Sequence, residues 1–244
     1  MIVYGCMVLL ATSCSNNPAA ESQGHLLQAT LWYQHSAEME ALYIQAYNWG
    51  MKVIDQEVSP GGSRPMAVVL DIDETVLDNS PQTGRQLTLN EAFSNEMWDQ
   101  WCELESAEAL PGALEFTRYA GEKGVEVFYI SNRGDHLLDV TLANLQKQGF
   151  PNADASHVLL KTETSVKDER RSKVKESHDI ILLIGDNLGD FSGVFDERTE
   201  GSASTEVHKL RELFGCEFIM LPNPMYGSWE KPYREDRQGA IVSF

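Results

Sequence analysis

Basic residues are scarce in this chain. Nineteen lysines and arginines stand against 37 aspartates and glutamates, a net charge of −18 over 244 residues. That deficit argues against binding to a nucleic acid polymer, which needs a basic face toward the phosphate backbone. It also opposes long-range attraction of anions. At physiological salt, however, the field is screened within about 8 Å, so a small phosphorylated ligand met by local cations stays allowed. No run of about 18 apolar residues occurs, which argues against a spanning helix. Cysteine is limited to Cys6, Cys14, Cys102 and Cys216, with no C-x-x-C metal spacing. Six histidines show no paired ligand spacing. Glycine (18) and proline (9) are close to average, so the chain is neither collagenous nor low in complexity.

What is present begins with an address. Residues 1–13, MIVYGCMVLLATS, hold an apolar run too short to span a bilayer and suited to a signal peptide, although no lysine or arginine precedes it. Ala11-Thr12-Ser13-Cys14 resembles the lipobox of bacterial lipoproteins, whose cysteine is lipidated and becomes the mature N-terminus. Residues 14–24 then read as a lipidated tether. The expected location is the bacterial cell envelope, lipid-anchored at the outer membrane. Cys102 and Cys216 would remain, as core or free thiols.

Leu27, Leu31, Ala37, Ala41, Ile44, Tyr47 and Met51 recur at helical spacing, so 25–58 is expected to be amphipathic helix. Its aromatic residues read as packing. Pro60-Gly61-Gly62 breaks the pattern. From 66 the periodicity changes. Met66–Leu70 is wholly apolar, as in a strand covered on both faces, and Val125–Ile130, Val158–Leu160, Ile180–Ile184 and Glu217–Leu221 repeat it. Helical stretches lie between, with Ser165 and Asp168 as an expected capping box and Thr205 as an expected cap for 206–214. Strands alternating with helices predict a parallel α/β sheet, with the ligand site beyond the C-terminal ends of its strands.

The apolar runs end in Asp71-Ile72-Asp73, Ser131-Asn132-Arg133, Lys161 and Gly185-Asp186-Asn187, so four strands deliver polar groups to one edge. A carboxylate there can attack phosphorus and become an aspartyl-phosphate. A second carboxyl two residues on can serve as acid to the leaving oxygen and then as base to water. The transferred phosphoryl needs cations and donors around its oxygens. Two carboxylates beside a phosphate also call for a hard cation, for which oxygen ligands suit Mg²⁺. Asp186 and Asp190, in Gly-Asp-Asn-Leu-Gly-Asp, are the further candidate ligands.

This pattern resembles the haloacid dehalogenase (HAD) superfamily. LDIDETVLDNSP, ISNR, IGDNLGDF and IMLPNPMYGSWE are similar to the class C acid phosphatases, bacterial lipoproteins of which some are 5′-nucleotidases. The resemblance implies an α/β fold: a Rossmann-like core with a parallel sheet flanked by helices (64–77 and 111–235), a small helical cap from 78–110 and the 25–58 helices, and a tail at 236–244. It implies Asp71 as nucleophile and Asp73 as acid/base, with the Asp73 carbonyl on the metal. Ser131 and Asn132 would bind the phosphoryl group and Lys167 would neutralise it, with Lys161 the second choice. Asp186 would ligate Mg²⁺, and Asp190 directly or through water. Trp98 and Tyr226 occupy positions that hold a nucleotide base between aromatic rings, where stacking tolerates any base. Both aspartates are present, unlike in P-type ATPases or the related plant storage proteins. Two departures stand out: Gln82 and Arg85 replace common aromatics, and Gly189 a common aspartate.

The implied activity is a Mg²⁺-dependent acid phosphatase acting on nucleoside monophosphates or similar small esters. The alternatives are a broad or sugar-phosphate phosphatase of the same fold, and a surface lipoprotein that binds a ligand without turnover.

Overall fold

A computed structural model describes residues 18–58 and 64–243. Cys14, the expected signal peptide and Pro60-Gly61-Gly62 lie outside the described residues. Residues 18–24, expected in a tether, instead start helix α1 (Pro18–His35), and proline suits a helix start because its missing N–H has no helical partner there. Helix α2 (Ala37–Glu57) follows at once, with Ser36 as its N-cap accepting from Met39 N at 3.0 Å. Among the described residues no helix is long and apolar enough to cross a membrane.

Strand β1 (Met66–Leu70) opens the core. The chain then leaves it through β2 (Leu77–Asp78), α3 (Ser80–Leu89) and α4 (Asn95–Glu103), returning through β3 (Glu108–Ala109). β2 and β3 pair antiparallel and close the base of this excursion, the segment expected as a cap. The rest alternates: α5 (Ala113–Glu122), β4 (Glu126–Gly134), α6 (Leu138–Gln148), β5 (Val158–Lys161), α7 (Asp168–Ser177), β6 (Asp179–Gly185), α8 (Ser202–Lys209) and β7 (Phe218–Met220). The five strands of the main sheet run in the order β5-β4-β1-β6-β7, all parallel.

Alternation along β1 explains the layering. Val68 and Leu70 enter one apolar cluster, Ala67 and Val69 the other, and all four are at most 4% exposed. A parallel sheet covered on both faces must read as a continuous apolar run. Helices α2 and α5 pack together on one face. There Gly50 lets them close, since a Cβ at that position would meet the Phe116 ring at 2.8 Å. α7 covers β4 and β6 on the other face. The N-terminal helices therefore part company. α1 packs on cap helix α3, whereas α2, expected with the cap, lies on the core against α5, β6 and β7.

Two expected caps do not form. Lys167, not Ser165, precedes α7, and Asp168 turns its carboxylate to Arg171 and to Gly193 N. α8 starts at Ser202 behind Gly201, whose φ of 74° suits glycine. Thr205 sits inside the helix and donates back to Gly201 O.

Candidate active site

The order β5-β4-β1-β6-β7 places β1 where successive connections diverge, and the crevice at the C-terminal ends of such strands is where ligands bind. Asp71 follows β1 directly and its backbone N–H is anchored on Ile184 O of β6 at 3.0 Å. Asp186 follows β6. Asp190 is folded back over the same spot by a capping turn in which its Oδ2 accepts from Asn187 N at 2.8 Å. Gly185 allows this approach, because a Cβ there would overlap the Asp190 side chain. The carboxylates of Asp71, Asp186 and Asp190 are all buried and offer oxygens within 4.8 Å of one another.

One cation faces them. Lys167, at the start of α7, is buried, contacts Asp71 Oδ1 and lies 2.6 Å from Asp190 Oδ1. The structure thus brings Lys167 to Asp71, while Lys161 ends the edge strand β5, in register with Gly134. A single ammonium cannot balance three buried carboxylates. Burial pushes Asp71 up to about 7 despite Lys167, with Asp190 and Asp73 adding to the rise. Burial, then Asp190 and Asp71, raises Asp186 well above the carboxylate range. Clustered hard oxygens with excess negative charge fit a divalent cation. Asn223, beyond β7, steadies Asp186 with a 2.8 Å bond to Oδ2.

Asp73 points elsewhere. Its Oδ1 accepts from Asn79 Nδ2 (2.9 Å) and Arg133 Nε (2.9 Å), and a terminal nitrogen of Arg133 lies 2.8 Å from it in an ion pair. Its Oδ2 accepts from Ser131 Oγ at 2.9 Å. Asn132 is exposed, its Oδ1 held by Arg170 at 2.7 Å, and the same guanidinium binds Ser131 O at 2.6 Å. Arg171 binds the carbonyls of Asp190 (2.7 Å) and Gly189 (3.1 Å).

Arg170, Arg171, Asn79 and Asn223 carry no role in the sequence reading, and Arg133 enters it only as a polar group at the end of its strand. A signal existed for two of them: Lys167-x-x-Arg170-Arg171 places three cations on one face of a helix that begins at the site. Tyr43 and Tyr47 of α2 read from the sequence as packing residues. These do more than pack, since their hydroxyls donate to Glu74 O and Thr75 O (2.7 Å for the latter) and pin the loop after β1. Trp98 lies in cap helix α4 with its ring 5.6 Å from the Arg133 guanidinium carbon. Tyr226 is half-buried against the main core. Arg85 is exposed, and buried Gln82 bonds Gln86 within α3. Cys102 is a buried free thiol and Cys216 an exposed one.

A Rossmann-like parallel sheet carrying Asp-x-Asp after its first strand, a helix-borne lysine and further aspartates after a later strand has the architecture of a HAD hydrolase. Residues 9–229 match the model of HAD superfamily subfamily IIIB (acid phosphatase), and the chain belongs to that family of phosphoric monoester hydrolases. The class C acid phosphatase from Bacillus anthracis superimposes with a TM-score of 0.87 at 40% identity, over 92% of this chain and 99% of that one. A second structure of that enzyme, with tungstate bound, gives 0.86 at 39%, with the same coverage of both chains. Acid phosphatase 1 of Solanum lycopersicum is 31% identical over 65% of this chain, and a stem 31 kDa glycoprotein of Glycine max is 28% identical over 65%. The matches span only 57% and 58% of those two plant proteins.

Proposed function

We propose that this chain is a Mg²⁺-dependent phosphatase that hydrolyses nucleoside 5′-monophosphates or similar small esters through an aspartyl-phosphate on Asp71. The observation that carries this reading is the buried Asp71–Lys167–Asp190 cluster with Asp186 beside it and Asp73 one residue pair away. An Asp71 carboxylate oxygen attacks phosphorus as the ester bond breaks, and the departing alkoxide takes a proton from the Asp73 carboxyl. Water then gives a proton back to Asp73 and its oxygen to phosphorus, releasing phosphate and restoring Asp71. Lys167 and the donors at Ser131 and Asn132 meet the charge on the equatorial oxygens. A divalent ion held by Asp71, Asp186 and Asp190 would supply the electrostatic neutralisation that lets these anions approach one another. Tungstate, bound by the Bacillus anthracis relative, is an oxyanion like phosphate, and its capture supports an anion site of this type.

The nucleotide preference rests on the aromatic positions Trp98 and Tyr226, and the envelope location on Cys14. Phosphate release should be measured with and without Mg²⁺ on AMP, UMP, glucose 6-phosphate and an aryl phosphate. Nucleotide preference that disappears in Tyr226→Ala supports the base clamp. Equal rates across the panel discard it and leave a broad phosphatase. No release from any ester leaves the binding-lipoprotein reading. A mature N-terminus at an acylated Cys14, read by mass, tests the anchor.

A further inference from the structure

The two oxygens of Asp73 are held very unequally. Oδ1 accepts hydrogen bonds from Arg133 Nε and Asn79 Nδ2 and lies 2.8 Å from a terminal Arg133 nitrogen in an ion pair, whereas among the described residues Oδ2 carries only the Ser131 hydroxyl. The Arg133 side chain is 1% exposed and also donates to Thr141 Oγ1 at 3.2 Å and to Asn79 Oδ1 at 3.3 Å. A planar guanidinium fixed at this many points sets the direction of a carboxylate, which a flexible lysine ammonium would not. Both supports of Oδ1 are in turn braced from the cap. Trp98 lies over the Arg133 guanidinium, within the range of a cation–π contact, and Trp101 Nε1 donates to Asn79 Oδ1 at 2.8 Å.

We propose that Arg133 is the positioning residue for the acid/base Asp73, that Asp73 Oδ2 is the oxygen that exchanges the proton, and that cap residues Trp98 and Trp101 hold this geometry through Arg133 and Asn79. The inference rests on the phosphatase reading and specifies one part of it. Ser131 Oγ is the single donor on Oδ2, and it is also the hydroxyl assigned to the phosphoryl group. When a phosphoryl oxygen takes that hydroxyl's hydrogen bond, Oδ2 is freed toward the leaving oxygen while Oδ1 stays clamped. Phosphate binding and exposure of the acid are thereby one event. Trp98 acts on every ester, with or without a base.

Leaving-group dependence reads this directly, because an acid matters little to an ester whose leaving group departs unaided. Steady-state kinetics should compare 4-nitrophenyl phosphate, glycerol 2-phosphate and AMP for the wild type, Arg133→Gln, Arg133→Lys and Trp98→Leu, with thermal melts alongside. Arg133→Gln should lose at least about tenfold more kcat/KM on glycerol 2-phosphate than on 4-nitrophenyl phosphate, because kcat/KM reports the step in which the leaving group departs, whereas the water step is the same for both esters. Arg133→Lys should recover part of that loss, and Trp98→Leu should show a smaller loss with the same selectivity. An equal loss of kcat/KM on both esters in folded Arg133→Gln and Arg133→Lys overturns the inference alone. So does a Trp98→Leu effect confined to the KM of nucleotides. A wild type inert toward all esters overturns the phosphatase reading and this inference with it.

Discussion

The main sheet carries a polar cluster at each end, and the two are built on opposite logic. At the C-terminal ends of the strands, Asp71, Asp186 and Asp190 crowd around one lysine, and burial pushes two of those carboxyls upward. At the N-terminal ends, Glu126 opens β4, and its carboxylate lies 3.1 Å from His157 Nε2, just before β5, and 3.2 Å from His178 Nε2, just before β6. Asp154 lies 2.9 Å from His157 Nδ1, and Phe128 contacts both imidazoles. Two acids there face two groups able to carry positive charge. The N-terminal cluster sets its acids against imidazoles of the chain's own, while the C-terminal one gathers three carboxylates around one lysine, a negative excess that protons or a bound cation must offset. Partly unsatisfied charge in a rigid crevice is the mark of a functional site rather than a structural one.

The largest effect that would break this contrast concerns turnover. Asp71→Asn should reduce phosphate release by at least about 10³-fold. It should leave the melting temperature of the metal-free protein unchanged or higher, because it removes one of the crowded charges while Lys167 keeps Asp190. A mutant that is both active and less stable contradicts both parts. Next comes Lys167→Met, which removes the ammonium paired with the buried carboxylates of Asp71 and Asp190. Removing one partner of a buried pair costs about 3 kcal/mol or more. The melt should therefore fall, and added divalent cation should restore more of it than in the wild type.

A third test uses pH. Asp71 and Asp186 are raised in the folded protein, so their protons are held more tightly there than in the unfolded chain. Their contribution to metal-free stability is complete below the ordinary carboxylate value. It is lost as pH rises through the raised ones, about 7 for Asp71. Mg²⁺ competes with those protons, so it should raise the melting temperature more at pH 7.5 than at pH 5. Equal shifts would mean that the ion binds elsewhere.

The smallest effect belongs to the other end. Burial works against charge on His157, but its bonds to Asp154 and Glu126 outweigh that and raise it above the ordinary range. Ser156, then His157, brings Asp154 down to about 2. The histidine term is complete below about 6.5 and fades as pH climbs through its raised value. The Asp154 term is lost only as pH falls toward 2. His157→Asn should flatten the fall in melting temperature between pH 6 and 8 (about the window set by an ordinary histidine) and leave turnover alone.

Legibility in the sequence differed along the same lines. Met66–Leu70 announced a buried parallel strand because both faces are covered, and the polar triplets after each apolar run announced the sheet edge. The class of chemistry followed from Asp71-Ile72-Asp73, since few other residue types suit attack on phosphorus and proton exchange two positions apart. The cap residues were harder. Trp98 sits at a position that suits base stacking, and nothing in 90–105 indicates that its ring meets a guanidinium from β4.

What the sequence by itself determined is therefore local: strand and helix periods, the order of elements and the chemical types delivered to one edge. Family resemblance already favoured Lys167 over Lys161, but the contact of Lys167 with Asp71, the turn of Asp73 onto Arg133 and the position of α2 beneath the motif loop were decided only by tertiary structure. Each depends on a contact between residues far apart in the chain, 96 positions for Lys167 and Asp71 and 60 for Arg133 and Asp73. No local propensity or spacing encodes such a contact. It exists only once the sheet has set its strand order and register.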